Sequence, residues 1–565
     1  MRRLFRAAWG VSLVLTPLIE PGISRAAQKS AGEDASPAAH LKPRKQRAAV
    51  KRPPKRRRVR TGRAPFIRRI RVVRRDVFDT NLRAEDKKIF RLINALHVTT
   101  KESAIKGLLL LKEGDRYNAD LAKESERALR NILLLRNVRV TPIPINDRTV
   151  DLLVTTQDTW TTEPQFGLTG VGQTLNLKTG LRERNLFGYG KDASFYYKKT
   201  DGVITRTYSY NDPLFLGTPM VMGGSFQDRA DGTTRSLSLA KPFSASVTHW
   251  SAGGALSNDK HEEKELDNLG NEIGRFRVKS KDSSVYADTS ILPTTRRVFR
   301  PGVGYERSEV ERIRLSSGRT ESDELFHIAH ARLDVERIDF LTVDHINQYG
   351  QDEDFALGPA LIFDGGAARH KWVPTSDNAN FYKGTFQEGT LFGTSHFALL
   401  TLGGNGEFQN GTWRSSHAQA DLNYYNHFQP RQTLAAHLGW AAIVNPTPTD
   451  NILLGGDTGM RAYKMNQFAG NKKLLANVED RFFVIDDVGR FASVGAVVFS
   501  DAGYVWAPGK DIRMSDVKSD VGVGLRLHLN RTSLGHVLRF DLAYAMRRVG
   551  NQPRLVFSFG TAQAF

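Results

Sequence analysis

The chain has 565 residues, a net charge of +21 and no cysteine, so it can hold neither a disulfide nor a thiolate metal site. The charge suggests a nucleic-acid partner, but 17 Lys and Arg with no acid fall between Lys42 and Arg75, which leaves the remaining residues nearly neutral. That basic run has no aromatic residue before Phe66 on which a base could stack, which argues against nucleic acid.

The N-terminus opens with the positive segment MRRLFR, followed by the apolar AAWGVSLVLTPLI, which is too short for a comfortable membrane span. Ser24-Arg25-Ala26 then offers small residues at the two positions that determine signal cleavage. Residues 1–26 read as a secretory signal peptide, with an N-terminal anchor as the alternative. Residues 27–64 are rich in Ala, Pro, Lys and Arg and nearly lack large apolar side chains, so they cannot bury a core. They read as a disordered basic linker. It would act as a solvated spacer or adhere to a polyanion such as anionic lipid or cell-wall polymer.

The texture changes over residues 65–158. FIRRIRVVRRDVF alternates as a strand does, with Phe66, Ile70 and Val72 on one face. AEDKKIFRLINALHV has helical spacing, and ESAIKGLLLLKEGD reads as a second short helix stopped at Gly114. Asn118 is placed to cap a third helix, NADLAKESERALRNILLL. Two strands follow, NVRVTPIPI and TVDLLVTTQD. Strand, helices, strand, strand makes a small α+β domain.

From residue 159 to 565 the helical period disappears. Segments of roughly ten residues alternate apolar and polar side chains between turn residues. VGVGLRLHLN puts Val521, Val523, Leu525, Leu527 and Leu529 on one face and Arg526 and His528 on the other. VLRFDLAYAM does the same with Leu538, Phe540, Leu542 and Tyr544 against Arg539 and Asp541. Beyond the N-terminal segment no apolar run reaches 18 residues, so a membrane-embedded part must be built of strands closed into a barrel. The fold class expected is therefore mostly β. The charged stretches 258–272 and 350–358 suit long solvent-side loops.

Several stretches resemble the superfamily of outer-membrane protein insertases and two-partner secretion transporters, in which polypeptide-transport-associated (POTRA) domains precede a barrel. GDRYNADLAKESERALRNILLLRNVRV is similar to the POTRA pattern, GLRERNLFGYGK to the first barrel hairpin and YNDPLFLG to the Asp-Pro turn after it. LLGGDTGMRAY resembles the segment that plugs the barrel, VFSDAGYVW the Phe-x-Asp-x-Gly strand, and Phe565 the terminal aromatic.

The resemblance implies a POTRA-like domain over 65–158 and a barrel of about 16 strands over 159–565. It puts the first strand near 173–182, the last near 553–559 and a plug loop at about 446–476. It also implies roles. Gly455, Gly456, Met460, Arg461, Ala462 and Tyr463 form the plug motif, and Phe499, Asp501 and Gly503 lie on the strand that receives it. Phe557, Phe559 and Phe565 are the barrel-assembly signal. Val138 and Val140 lie on the POTRA edge that accepts clients. Ala462 stands where the family mostly has glycine, which is tolerable only if the backbone there does not need positive φ.

Arg461 poses the sharpest question. On a lipid face it would cost about 2–4 kcal/mol at mid-depth, whereas inside a barrel it needs an acceptor, and a planar guanidinium matches a carboxylate in bidentate fashion. The resemblance names Asp501 as that acceptor; a solvated loop arginine is the alternative. No cofactor or metal site is expected. Gly-x-Ser-x-Gly is absent, His261-Glu262-Glu263 lacks the second histidine of a zinc helix, and Asp352-Glu353-Asp354 lacks the rest of a calcium loop.

The expected function is a non-enzymatic outer-membrane transporter or assembly factor with a periplasmic POTRA domain. Its partners would be unfolded client polypeptides, outer-membrane lipid and lipopolysaccharide, and accessory lipoproteins. A passive channel or surface adhesin is the alternative, and a lipase-related enzyme the lesser one.

Overall fold

The computed structural model describes residues 64–565 apart from 134, 172–173, 201–202, 267–271, 319, 350–352, 371–377, 447–451, 457, 465–466, 508, 533–536, 551, 562 and 564–565. The signal peptide and all of the basic linker but its last residue lie outside the described residues.

The N-terminal unit contains β1 (Phe66–Arg75), α1 (Lys88–Leu96), α2 (Glu102–Leu108), α3 (Ala119–Leu133), β2 (Arg136–Asn146) and β3 (Thr149–Gln157). The central strand β3 runs parallel to β1 and antiparallel to β2. Strand residues Ile67 and Ile70, brought to one face by a register shift between Ile67 and Arg69, and the alternate pairs Val138/Val140 and Leu152/Val154 meet Ile105 and Leu129 in one core. Asn118 Oδ1 accepts the N–H of Asp120 (2.8 Å) and of Leu121 (3.3 Å), which caps α3.

The side chains of Val138 and Val140 are buried in that core. The period of two turns Arg139, Thr141, Ile143 and Ile145 outward instead. β2 does lie at the sheet edge, but the edge is blunted. The Val140 N–H donates to Glu126 Oε1 at 2.7 Å. Pro142 and Pro144, on the same outward phase of the ladder, have no N–H to give.

From Thr162 to Thr561, 20 strands among the described residues form one antiparallel sheet in which each strand pairs with the next. The expected figure of about 16 was implied by family resemblance rather than by the residues. Connections as short as Asn410-Gly411, with φ of 52° and 78°, leave room for more strands in the same length. The first strand is Thr162–Val171 and the stretch near 173–182 belongs to the second, Thr174–Leu186. Its sequence, TEPQFGLTGV, carries a proline and two glycines that hide its strand character.

The strand order is cyclic, with the last strand, Leu555–Thr561, next to the first. Residue pairs are described for every other neighbouring couple. Near this seam Trp160, just before the first strand, reaches past the last strand to the turn between Lys518–Leu529 and Val537–Ala545, donating its N–H to the Arg531 carbonyl at 2.7 Å and bridging Thr532.

The alternation read from the sequence divides the sheet's two sides. In Lys518–Leu529, Val521, Val523 and Leu525 are exposed on the outside, while Asp520, Arg526 and His528 are fully buried within. The stretch 258–272 is not a simple loop. Asn258–Leu266 continue strand Trp250–Leu266 and pair with Glu272–Thr289, since backbone laddering does not require an apolar face.

Alternate connections converge on the N-terminal unit, which defines a proximal end of the sheet. Arg531 meets Glu85 at 2.6 Å, Gly188 O accepts from Lys101 N at 2.8 Å, and Ser246 N donates to Glu124 at 2.7 Å. The connection between strands Gln432–Val444 and Lys472–Val488 leaves from the opposite, distal end.

Candidate functional site

That distal connection folds inward as a short hairpin, Ile452–Leu454 with Phe468–Gly470, and carries the expected plug motif. Gly455, Met460, Arg461, Ala462 and Tyr463 are buried. Met460 and Tyr463 pack with Leu454, Phe468, Leu475 and Phe499. Tyr463 donates its hydroxyl to the carbonyls of Ser519 (3.2 Å) and Arg547 (3.1 Å). Gly456 faces the Tyr463 carbonyl so closely that a Cβ would lie 2.6 Å from it. Gly503 sits against Leu454 and Leu475. Ala462 keeps negative φ, so its methyl group is tolerated, and its N–H reaches Asp520 Oδ2 at 3.2 Å.

Arg461 has no exposed surface. Its Nε and Nη2 donate to Asp501 Oδ2 (2.8 Å) and Oδ1 (2.7 Å), the bidentate pair expected. Its Nη1 donates to Glu479 Oε1 at 2.5 Å, and the guanidinium lies 3.4 Å from the centre of the Phe499 ring. Burial works against its charge, but Asp501, Glu479 and Asp541 outweigh that and hold the proton more firmly than on a free arginine.

The pair belongs to a larger set that inspection of the sequence missed. Glu479 also accepts from Arg481 Nε (2.8 Å) and Arg526 Nη2 (3.5 Å), and Arg526 Nη1 donates to Asp541 Oδ1 at 2.6 Å. Asn477 Nδ2 donates to Asp501 Oδ1 at 2.8 Å and to the Gly459 carbonyl at 2.7 Å. Register assembles the set. Asn477, Asp501 and Asp520 stand side by side on three neighbouring strands, as do Arg481, Val497, Gly524 and Asp541 on four. A Cβ at Gly522 would strike the Phe499 ring and one at Gly524 the Asp541 carboxylate, so glycine there clears the space the cluster fills. The available signal was a charge on the inward phase of an otherwise apolar strand.

A second inward segment comes from the proximal end. Strands Phe340–Val343 and Glu353–Ala356 pair as a hairpin between strands Thr320–Arg337 and Ala360–His370. Glu353, expected in a solvated loop, is fully buried and accepts the N–H groups of Ile346 (2.9 Å), Asn347 (2.9 Å) and Gln348 (3.0 Å). Its role is to fix the hairpin loop, which apolar Ile346 and Phe355 draw inward onto Phe397 and Tyr425. Asp352 lies outside the described residues.

The two segments are joined through a pair of residues on one strand, Glu479, which holds Arg461, and Arg481. Arg481, held by Glu479, donates through Nη1 to the Ile346 carbonyl (3.1 Å) and to Asn347 Oδ1 (2.9 Å). At its other end the hairpin is tied to α3, where Arg130 meets Asp354 at 2.7 Å and the Arg127 guanidinium lies 4.6 Å from the Phe340 ring centre.

The remaining expected residues fall elsewhere. Phe557 is exposed on the last strand, Phe559 is in that strand's ladder, and Phe565 lies outside the described residues. Among the described residues no group of His, Asp or Glu could hold a metal, and no helix is long and apolar enough to cross a membrane.

A large antiparallel sheet with an apolar outside, a charged inside and an inward loop pinned by a buried Arg–Asp pair defines a class, the plugged outer-membrane-type barrel fold. The sequence comparison points the same way: residues 384–565 match the Omp85 superfamily domain. No curated protein matches the chain.

Among solved structures, BamA from Haemophilus ducreyi lacking POTRA domains 1-3 is 14% identical, with 89% of this chain and 85% of that one covered at a TM-score of 0.35. CdiB from Acinetobacter baumannii is 11% identical, covering 88% and 73% at 0.39. CdiB from Escherichia coli is 11% identical, covering 92% and 94% at 0.41. All three overlaps are loose.

Proposed function

We propose that this chain is a gated outer-membrane assembly or translocation barrel. The N-terminal unit acts as a periplasmic POTRA domain for unfolded polypeptide clients. The barrel, closed between its first and last strands, then inserts them into the membrane or passes them across it. The observation that carries the reading is the pair of inward segments meeting on Arg481 and Glu479. A passive channel has no use for an interior occupied from both ends and locked by buried charge. Client folding supplies the free energy, and no nucleotide site is needed. Lipid, lipopolysaccharide and accessory lipoproteins complete the partner set, and the basic linker at 27–64 is a spacer or a contact to anionic lipid or cell wall.

Because Pro142, Pro144 and Glu126 blunt the β2 edge, clients engage its outward side chains and carbonyls more than a full strand ladder. A photoreactive residue at Ile143 should therefore crosslink unfolded polypeptide in cells, while one at the buried Val138 should not. Steady, large ion conductance from the purified wild-type protein, with no client captured at Ile143, would instead establish the channel reading.

A further inference from the structure

From its position and exposed face we infer that α1 docks in the inner surface of the membrane that surrounds the barrel, as an in-plane amphipathic helix binding anionic phospholipid.

Helix α1 buries one side chain, Phe90, which stacks on Phe78 (4.2 Å between ring centres) and meets Phe491 (5.4 Å) in the turn after strand Lys472–Val488. Ile93 packs beside it, and three other large apolar residues are left outside. Ile89, Leu92 and Leu96 follow one another at helical spacing on a single stripe and are 51%, 55% and 67% exposed. Val98, just beyond the helix, is 52% exposed. A monomeric soluble surface does not ordinarily leave such a stripe uncovered. Lys88 borders it, as a cation does when an in-plane helix meets anionic headgroups, while Arg91, farther round the helix, is held by Asp86 at 2.6 Å.

Location selects the occupant. The segment that carries α1 is fastened to both sides of the seam at the proximal rim. On one side Glu85 holds Arg531. On the other, Asn185 Nδ2 donates to Thr100 Oγ1 at 2.9 Å, and Lys101 Nζ lies 3.9 Å from the centre of the Tyr189 ring. The rim residue Phe187 is itself 68% exposed and continues the barrel's outward apolar band toward Val98, which lies against the adjacent Gly188. The stripe thus extends a lipid-facing surface that already ends there.

This inference rests on the strands being embedded in a bilayer, and the test separates the two. The chain has no cysteine, so a single introduced one is a unique label site. Leu92→Cys and Leu96→Cys, with Val523→Cys on the barrel exterior and Ile145→Cys on β2 as controls, would carry an environment-sensitive fluorophore. The full chain is then reconstituted in phosphatidylethanolamine–phosphatidylglycerol vesicles with or without spin-labelled lipid. The expected result is about twofold quenching by that lipid at 92, 96 and 523, with position 145 quenched only by aqueous iodide. Lipid quenching at 523 but not at 92 or 96 overturns the docking and leaves the barrel. Label sites at 92 and 96 shielded from both quenchers overturn it in favour of a protein cover. Position 523 unquenched by lipid overturns the barrel reading and this inference together.

Discussion

Replacing Arg461 by alanine tests the closed state directly. The side chain is fully buried, and three of its N–H groups donate to two equally buried carboxylates. After truncation Glu479 keeps Arg481 and Arg526, but Asp501 loses its cation and keeps Asn477 Nδ2, the neighbouring Asp520 carboxyl and the long contact to the residue-461 N–H. The cost is therefore concentrated on one uncompensated carboxylate. Breaking a buried pair in this way costs about 3–5 kcal/mol, which shifts the loop-in to loop-out equilibrium by roughly two to four orders of magnitude.

The sheet's own ladders do not pass through Arg461, so the loss should appear first as release of the 452–470 loop. Protease sensitivity of that loop and a lower temperature for loss of the compact gel mobility of the folded barrel are the measurements. Arg461→Lys, which keeps the charge but not the fork, should fall between. Exchanging the charges, Arg461→Asp with Asp501→Arg, should not restore the fold. The new aspartate would face Glu479, already 2.5 Å from the guanidinium, and Asp541, 3.8 Å from it. A variant Arg461→Ala with wild-type melting and an intact, protease-resistant loop would refute the pinning argument.

Glu479→Gln should destabilise more than Arg481→Met, since it leaves Arg461, Arg481 and Arg526 around a neutral amide; equal urea midpoints would contradict this. The proximal hairpin should loosen in alkali. Burial lowers the affinity of His345 for its proton, but Asp344 and Asp486 more than restore it and raise the histidine to about 9, so its contribution is complete below its ordinary 6.5 and lost as pH rises through 9. Cleavage within 344–349 should increase between pH 7 and 9.5, and His345→Gln should abolish that dependence. Arg130→Ala should free the hairpin from α3 without changing barrel melting, seen as lost crosslinking between cysteines introduced at 127 and 340. Deleting 27–64 should leave the folded gel mobility unchanged.

The legible and illegible parts of the sequence divide along one physical line. Patterns that repeat within a single segment could be read: the period of two in VGVGLRLHLN, the helical stripe and Asn118 cap of α3, the isolation of positive charge ahead of Phe66. The Arg461–Asp501 pair could be named only because a short motif on each strand resembled a known one. The rest of the cluster depends on register. Nothing local says that Arg481, Val497, Gly524 and Asp541 share a row, because each lies on a different strand. The hairpin 340–356 misled for a related reason. Its acids suggested water, yet Glu353 is satisfied by three backbone N–H groups supplied by its own loop, and apolar Ile346 and Phe355 decide where the hairpin goes. Val138 and Val140 lie on an edge strand, but which phase of it faces α3 was not apparent from the sequence.

Buried charge on this scale is a poor way to gain stability, because removing each ion from water costs about as much as its partners return. What it provides is discrimination between arrangements. Apolar side chains at 461, 479, 481 and 526 would let the distal loop slide or repack at small cost, whereas a guanidinium between two carboxylates is satisfied in one position and strongly penalised between positions. Arg481 extends that property to the second segment. If the distal loop withdraws, Glu479 loses one cation but retains Arg481, whose hold on Ile346 and Asn347 is made through other N–H groups. The two segments can therefore leave separately without stranding Glu479. Release of the proximal segment first leaves Arg481 with Glu479 but exposes the Ile346 and Asn347 acceptors, a lesser cost that water can meet. Under the proposed gated function, a barrel sealed at rest and opened in steps is better served by such a shared ion than by two independent plugs.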